Sequence, residues 1–374
     1  MRISLFYGAA SGVIGVHLPF FPVWLKAIGI DVFWIGLVMA VPPLTRFTIL
    51  PFVTAEAERR NVLRGTMIVL AFAAAAGFAV LALLREPLVI LLAYVVIACL
   101  WTPLNPLIDG YALKGVARHD LDYGRMRLWG SASFVLFALA AGGLFAFISP
   151  QNLIWVLVAV ATFSAFVSLG IVPLDAPAGH AARQAKASGL LKQPLFLAIV
   201  GAAALIQGSH AAYYAFSSIT WRAAGLSGFT VAALWSLGVI AEIVVFAISP
   251  RFTLSPTVLV MIGAAGGVVR WSITALEPRI EVLTAVQLMH GLTFGITQVG
   301  TVALMVRTVP HHILASAQGY MVAVQGVLTS LTMALSGLIY ARFGEGLYFA
   351  MAAMALAGGL VMALARRRLD EGHV

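Results

Sequence analysis

Twelve apolar stretches, each long enough to cross a bilayer, fill this chain almost from end to end and leave little material for a water-facing surface. They run over residues 4–27, 33–53, 64–84, 87–113, 125–148, 151–173, 194–221, 228–249, 257–277, 279–308, 312–341 and 345–365. A spanning helix needs about 20 apolar residues, and in hydrocarbon each backbone amide must find its partner within its own helix. Only 10% of the 374 residues are charged, against roughly 25% in a soluble domain. Lipid must therefore be the solvent for most of the exterior. The expected fold class is an all-α membrane protein of twelve transmembrane helices, multi-pass in the membrane.

The net charge of +9 would suit a nucleic-acid binder. The basic residues, however, sit in short loops between spans, where they set orientation, so nucleic acid is excluded as a partner. With both termini in the cytoplasm, sixteen Lys and Arg residues fall on that side and five (Lys26, Arg85, Arg222, Arg279 and Arg342) on the other. Reversing the topology would invert the bias. The first stretch is too long for a signal-peptide apolar region, and no small-residue cleavage site follows it, so it reads as a retained helix. Cys99 is the single cysteine, which rules out a disulfide framework.

The longest hydrophilic interruption, LDAPAGHAARQAKASGLLKQ at 174–193, divides the spans six and six. The expected domains are an N-terminal six-helix bundle at 1–174, a cytoplasmic linker at 175–193 and a C-terminal six-helix bundle at 194–374. The halves read as repeats at an offset near 195: GGLF at 142–145 falls on SGLI at 336–339, Arg46 on Glu242, and His17 on His210. Parallel six-helix repeats place a binding site near mid-membrane at the interface of the halves.

Polar residues single out particular spans. In span seven Gln207, His210, Tyr214, Ser217 and Trp221 recur at steps of three and four, which puts them on one helical face. Gln287, His290, Phe294, Thr297 and Thr301 do the same in span ten, and Trp101, Asn105 and Asp109 in span four. A Gln and Thr stripe from Gln318 to Ser336 marks span eleven. Interhelical hydrogen bonding explains single Ser or Thr residues; whole stripes with His, Gln and aromatics point to a wet cavity.

Ionisable groups at bilayer depth cost about 2.5 to 3.5 kcal/mol each. Here they are Arg46, Asp109, Glu242 and Arg270, with His17, His210 and His290. Arg46 follows Pro42-Pro43; its planar fork suits a carboxylate, either of a substrate or of a glutamate. Glu242 and Asp109 are the candidates for carrying a proton, Asp109 having a helix-end pairing with Lys114 or Arg118 as its alternative. Arg270 is expected to snorkel outward from span nine in a structural role. His210 and His290 suit substrate contact or proton relay. No phosphate-cradling glycine loop, HExxH or serine-nucleophile motif is present, so neither an enzyme nor a cofactor or metal is expected.

These residues resemble the major facilitator superfamily, and within it the 3-phenylpropionic acid transporter group, near the lactose and nucleoside proton symporters. The elements that carry the resemblance are YGRMRLWGS at 123–131, Pro103 to Asp109, LWSLGVIAE ending at Glu242, Arg270-Trp271, and QLMHGLTFG around His290. The resemblance implies two pseudo-symmetric six-helix bundles and proton-coupled import by alternating access. Arg125, Arg127 and Arg270 would then be structural or gating charges. The loop between spans two and three departs from the family pattern: it reads TAEAERRN, with Glu58-Arg59 in place of the usual Asp-Arg pair and no glycine. The expected function is symport of a small aromatic carboxylic acid with a proton, by a monomer in the bacterial inner membrane. Substrate contacts are expected from Arg46, Trp101, Asn105, Gln207, His210, Tyr214, Gln287, His290 and Phe294. Symport of a sugar or nucleoside, drug/proton antiport, and a non-transporting membrane sensor or embedded enzyme stand as alternatives.

Overall fold

The computed structural model describes residues 2–119, 123–172, 188–276 and 279–371. Among them no strand occurs. The helices are α1 (Arg2–Ala27), α2 (Val32–Met39), α3 (Val41–Thr48), α4 (Leu50–Arg59), α5 (Leu63–Leu81), α6 (Pro87–Trp101), α7 (Leu104–His119), α8 (Tyr123–Leu144) and α9 (Leu153–Ser168). After the linker come α10 (Pro194–Gly208), α11 (Ala211–Ala223), α12 (Gly228–Ile248), α13 (Pro256–Thr274), α14 (Ile280–His290), α15 (Thr297–Thr308), α16 (Leu314–Phe343) and α17 (Leu347–Glu371).

Among the described residues nine helical runs are long and apolar enough to cross a membrane, and a bent pair, Val32–Thr48 with Leu50–Ala57, makes a tenth. The last run, Ser316–Glu371, holds two helices. They part at Gly344, whose φ of +55° with ψ of −130° is open only to glycine. The shorter apolar helix Leu128–Leu144 lies in the fifth expected span. Each of the twelve expected spans therefore has its helix, and the all-α membrane fold expected from composition is the fold found. Leu364, Phe147 and Phe52 are 86%, 84% and 75% exposed, as suits an exterior solvated by lipid.

The chain forms two compact units, one of Met1–Ala182 with Phe216–Ser236, the other of Arg183–Ala215 with Leu237–Val374. Lipid tails are as apolar as leucine, so helices associate in a bilayer through close van der Waals fit, which small residues permit. In the first unit α1 lies against α8 along Gly8, Gly12 and Gly15. A Cβ at Gly15 would stand 2.5 Å from the Phe134 carbonyl oxygen, and one at Gly12 2.8 Å from the Phe137 ring. In the second unit α17 meets α10 through Gly358, 2.9 Å from the Ala202 carbonyl by the same measure, and α13 through Gly267 and Gly359. Behind these contacts Phe196, Ile199, Ile206, Val260, Leu304 and Met305 form a buried apolar core.

Candidate functional site

Two interruptions of helical hydrogen bonding in the second unit build the site. The first parts α10 from α11 at Ser209 and His210. There His210 N–H bonds to the Gln207 carbonyl at 3.1 Å, a one-turn shortcut that tightens the chain. The Ile206 and Gln207 carbonyls both lie 3.2 Å from His210 Nδ1. Trp271 Nε1 donates to Ser209 Oγ at 2.9 Å, and that hydroxyl donates to the Ile206 carbonyl at 2.6 Å, so the break is pinned from α13. The second interruption is a π-helical turn, Gly291–Ile296, between α14 and α15. Such turns admit an extra residue and recur at functional sites. Close approach requires Gly291 here, since a Cβ would fall 2.6 Å from the Ala241 carbonyl oxygen.

Arg270 of α13 lies between these interruptions and is wholly buried. Its Nη1 donates to His290 Nδ1 and to Thr293 Oγ1, both at 3.0 Å, and its Nη2 donates to Gln287 Oε1 at 3.3 Å. The guanidinium also stands 4.4 Å from the Trp271 ring centroid and 4.9 Å from that of Tyr213. Its Nε–H has no hydrogen-bond partner among the described residues. The sequence expectation that Arg270 snorkels outward is corrected: the side chain turns inward because Gln287, His290 and Thr293 offer acceptors there.

The donors fix the tautomers. Arginine can only donate, so His290 Nδ1 accepts, and the neutral ring carries its proton on Nε2. That nitrogen faces Glu242 Oε2 at 3.6 Å. His210 Nδ1 faces two carbonyls and must donate. Its Nε2 therefore accepts from Thr293 Oγ1 at 3.1 Å. A one-way chain runs from Arg270 through Thr293 and His210 to the carbonyls of the helix break.

Six residues expected to touch substrate gather here: Gln207, His210, Tyr214, Gln287, His290 and Phe294. The Phe294 ring stacks on His290 at 5.3 Å and stands edge-on to His210 at 5.9 Å. Tyr214 stacks beside His210 at 6.1 Å. Gln207 donates to the Phe294 carbonyl at 3.4 Å, while its Oε1 is buried without a hydrogen bond among the described residues. The cluster also contains Thr293, Tyr213 and Trp271, to none of which the sequence reading gave a role in the site; Trp271 entered it only beside Arg270 as a mark of the resemblance. Thr293 is the hub of the chain, and its only signal was its place three residues after His290.

The other candidates belong to the first unit. His17 bonds to the Tyr94 hydroxyl at 2.6 Å inside a box of rings. Phe21 stacks on His17 at 4.7 Å, and Trp101 tilts against it at 4.6 Å. Trp101, Asn105 and Asp109 are half-buried, and Asn105 Oδ1 is buried without a hydrogen bond among the described residues. Arg46 is exposed in the last turn of α3. At the C-terminal end of α4 Arg59 grips Glu56 with two hydrogen bonds, of 2.7 and 2.8 Å, and Arg60 bonds to the same carboxylate. The side chains of Glu58, Arg125 and Arg127, like those of Lys114 and Arg118, lie outside the described residues.

Comparison with known proteins places this geometry. A curated protein of Escherichia coli (strain K12), "Probable 3-phenylpropionic acid transporter", is 33% identical over 358 residues, covering 91% of each chain. The maltose permease of Geobacillus stearothermophilus is 25% identical over 97% of this chain and 94% of its own. The crystal structure of the nucleoside transporter NupG superposes with a TM-score of 0.79 at 14% identity, covering 99% of this chain and 98% of that one. The family model described as the MFS_1 like family matches residues 1–351. The chain belongs to this family, and it is a major facilitator transporter of a small solute.

Proposed function

We propose that this transporter imports a small aromatic carboxylic acid together with a proton, by alternating access, and that Arg270 receives the carboxylate. The observation that carries the reading is a guanidinium buried among uncharged acceptors, with its Nε–H unpartnered among the described residues. A buried cation without a matching anion is destabilising, and the vacant donor suits one oxygen of a carboxylate. The neighbouring rings of Tyr214 and Phe294 offer stacking surface for an aromatic substituent. The name of the Escherichia coli relative supports the same solute class.

The hydrogen bond at His290 supports a coupling to protons. Its Nδ1 lone pair is occupied by Arg270, so the ring takes no second proton while that bond stands. A carboxylate that draws the guanidinium to itself frees Nδ1, and the imidazolium then formed has Glu242 at 3.6 Å from its other nitrogen. Loading of the anion and loading of the proton are thereby linked, with Glu242 as the counter-charge. An inside-negative potential opposes an entering anion by about 2.3 kcal/mol per 100 mV, and one co-transported proton cancels that charge. A D-xylose-proton symporter shares the fold, with a TM-score of 0.72 at 12% identity.

Uptake of labelled 3-phenylpropionate into membrane vesicles tests the reading. Uptake should be driven by an inward proton gradient and should stop when an ionophore collapses it. Uptake indifferent to the gradient removes the coupling, and undiminished binding by Arg270→Gln removes the carboxylate site.

A further inference from the structure

We infer that span seven holds a two-state switch at Ser209, and that Trp271 is the positioning residue that ties the switch to Arg270. The inference rests on the carboxylate reading for its trigger alone, and every group in it belongs to the second unit. The element with two states is the Ile206 carbonyl. In an unbroken helix it would accept from the amide four residues on, that of His210. Here that amide bonds to the Gln207 carbonyl at 3.1 Å. The Ile206 oxygen is taken instead by the Ser209 hydroxyl at 2.6 Å and faces His210 Nδ1 at 3.2 Å. On either side the ladder is regular: the Ser209 amide bonds to Leu205, and the Tyr214 amide to His210, each at 3.0 Å. The partner of one carbonyl thus separates a parted helix from a continuous one.

The backbone does not enforce the parted form. No proline follows Pro194 in span seven, and Ser209 has helical dihedrals, φ −62° and ψ −13°. Side chains decide it. The Trp271 indole donates to Ser209 Oγ at 2.9 Å. With that donor on its oxygen, the hydroxyl turns its own hydrogen to Ile206. Ser209 and Trp271 are both wholly buried, so solvent does not compete.

The indole is itself held in place. The Arg270 guanidinium lies 4.4 Å from its ring centroid, Tyr348 stacks on it at 5.9 Å, and His210 meets it edge-on at 5.0 Å. A carboxylate that draws Arg270 to itself takes the cation from the ring face. The indole is then less firmly held on Ser209, the hydroxyl releases Ile206, and the His210 amide returns to that carbonyl. Loading of the solute is thereby converted into a straightening of span seven, which carries the His210 and Tyr214 side chains with it.

Amide hydrogen exchange over residues 207–212 of the purified full chain reads the two states, because a regular helical bond protects better than a one-turn shortcut. In the ligand-free protein Ser209→Ala and Trp271→Phe should each slow exchange of the His210 amide by about five- to tenfold, as expected for one hydrogen bond. Removing a merely structural bond would speed exchange there instead. The double variant should slow it no further than either single one, since both remove the same contact. Saturating 3-phenylpropionate should slow the exchange in the wild type and leave Ser209→Ala unaltered. Ser209→Ala should also bind the acid about fivefold more tightly, having no pin to undo, yet take it up more slowly, because release needs the break to re-form. Faster or unchanged exchange in either ligand-free variant overturns the switch. Bound acid that leaves the wild-type amide unaffected overturns the link from Arg270. Failure of the acid to bind overturns the carboxylate reading and the trigger with it, while the ligand-free comparison decides the switch itself.

Discussion

Arg270 shows how one side chain can be read correctly as costly and wrongly as to why. Its presence at bilayer depth was visible in the sequence, but its direction was not. Snorkelling requires a free path to the interface, and that path depends on which helices flank α13. Neutral acceptors in place of a carboxylate leave the guanidinium stabilised by dipoles and by the Trp271 and Tyr213 ring faces, so removing it should relieve burial rather than break an ion pair. Arg270→Gln is therefore expected to weaken 3-phenylpropionate binding by about 10- to 100-fold, the range of a charge-assisted hydrogen-bond pair. It should leave the melting temperature of the ligand-free protein unchanged or higher. Arg270→Lys should lose similar affinity, because an ammonium lacks the planar fork. A fall in melting temperature for the glutamine variant, seen in the same detergent, would mean that Arg270 is a structural charge. Trp271→Phe tests the neighbouring position. Loss of its bond to Ser209 Oγ should lower stability by about 1 kcal/mol, measured as a shift in melting temperature.

At the scale of elements, helix contacts and helix breaks follow different rules. The α1 and α8 contact rests on glycines spaced along one face, and its tightness varies from position to position. A methyl at Gly15 would collide with backbone at Phe134, which cannot swing away, whereas a methyl at Gly143 meets nothing within 4 Å. Gly15→Ala should lower stability by about 1 to 3 kcal/mol. Gly143→Ala should be neutral or stabilising by about 0.5 to 1 kcal/mol, because alanine loses less entropy in a helix. Thermal melting of both variants in one detergent checks the pair, and equal effects would sink the packing argument. The breaks were less legible. Gly208-Ser209 and the glycines at 291 and 295 are small residues in a chain rich in them, and nothing local marks the first as a parted helix or the second as a π turn. The first distortion persists because Ser209 and His210 take up the freed carbonyls and are themselves held by Trp271 and Thr293.

For the whole molecule, orientation is set by loop charge, which acts through insertion rather than through contacts. The sixteen-to-five distribution of Lys and Arg predicts that both termini face the cytoplasm. Cys99 lies within α6, and replacing it with alanine clears the background for a single reporter. Arg367 is exposed near the end of α17. A cysteine placed there by Arg367→Cys should react with a membrane-impermeant thiol reagent in inside-out vesicles and stay unlabelled in right-side-out ones. The opposite pattern would invert the topology.

Composition and period alone determined that this chain spans a membrane as helices, how many times, and which helices carry polar faces. Those properties are local: hydrocarbon accepts only self-satisfied helices, and a stripe is visible wherever residues recur at three and four. The placement of the six candidate residues of spans seven and ten on two helical stripes was legible for the same reason. Only the tertiary structure decided that Arg270 turns inward to organise them and that Thr293 joins Arg270 to His210. Each of these depends on which acceptors neighbouring helices present and at what distance, and the side-chain hydrogen bonds involved join residues 17 to 83 positions apart.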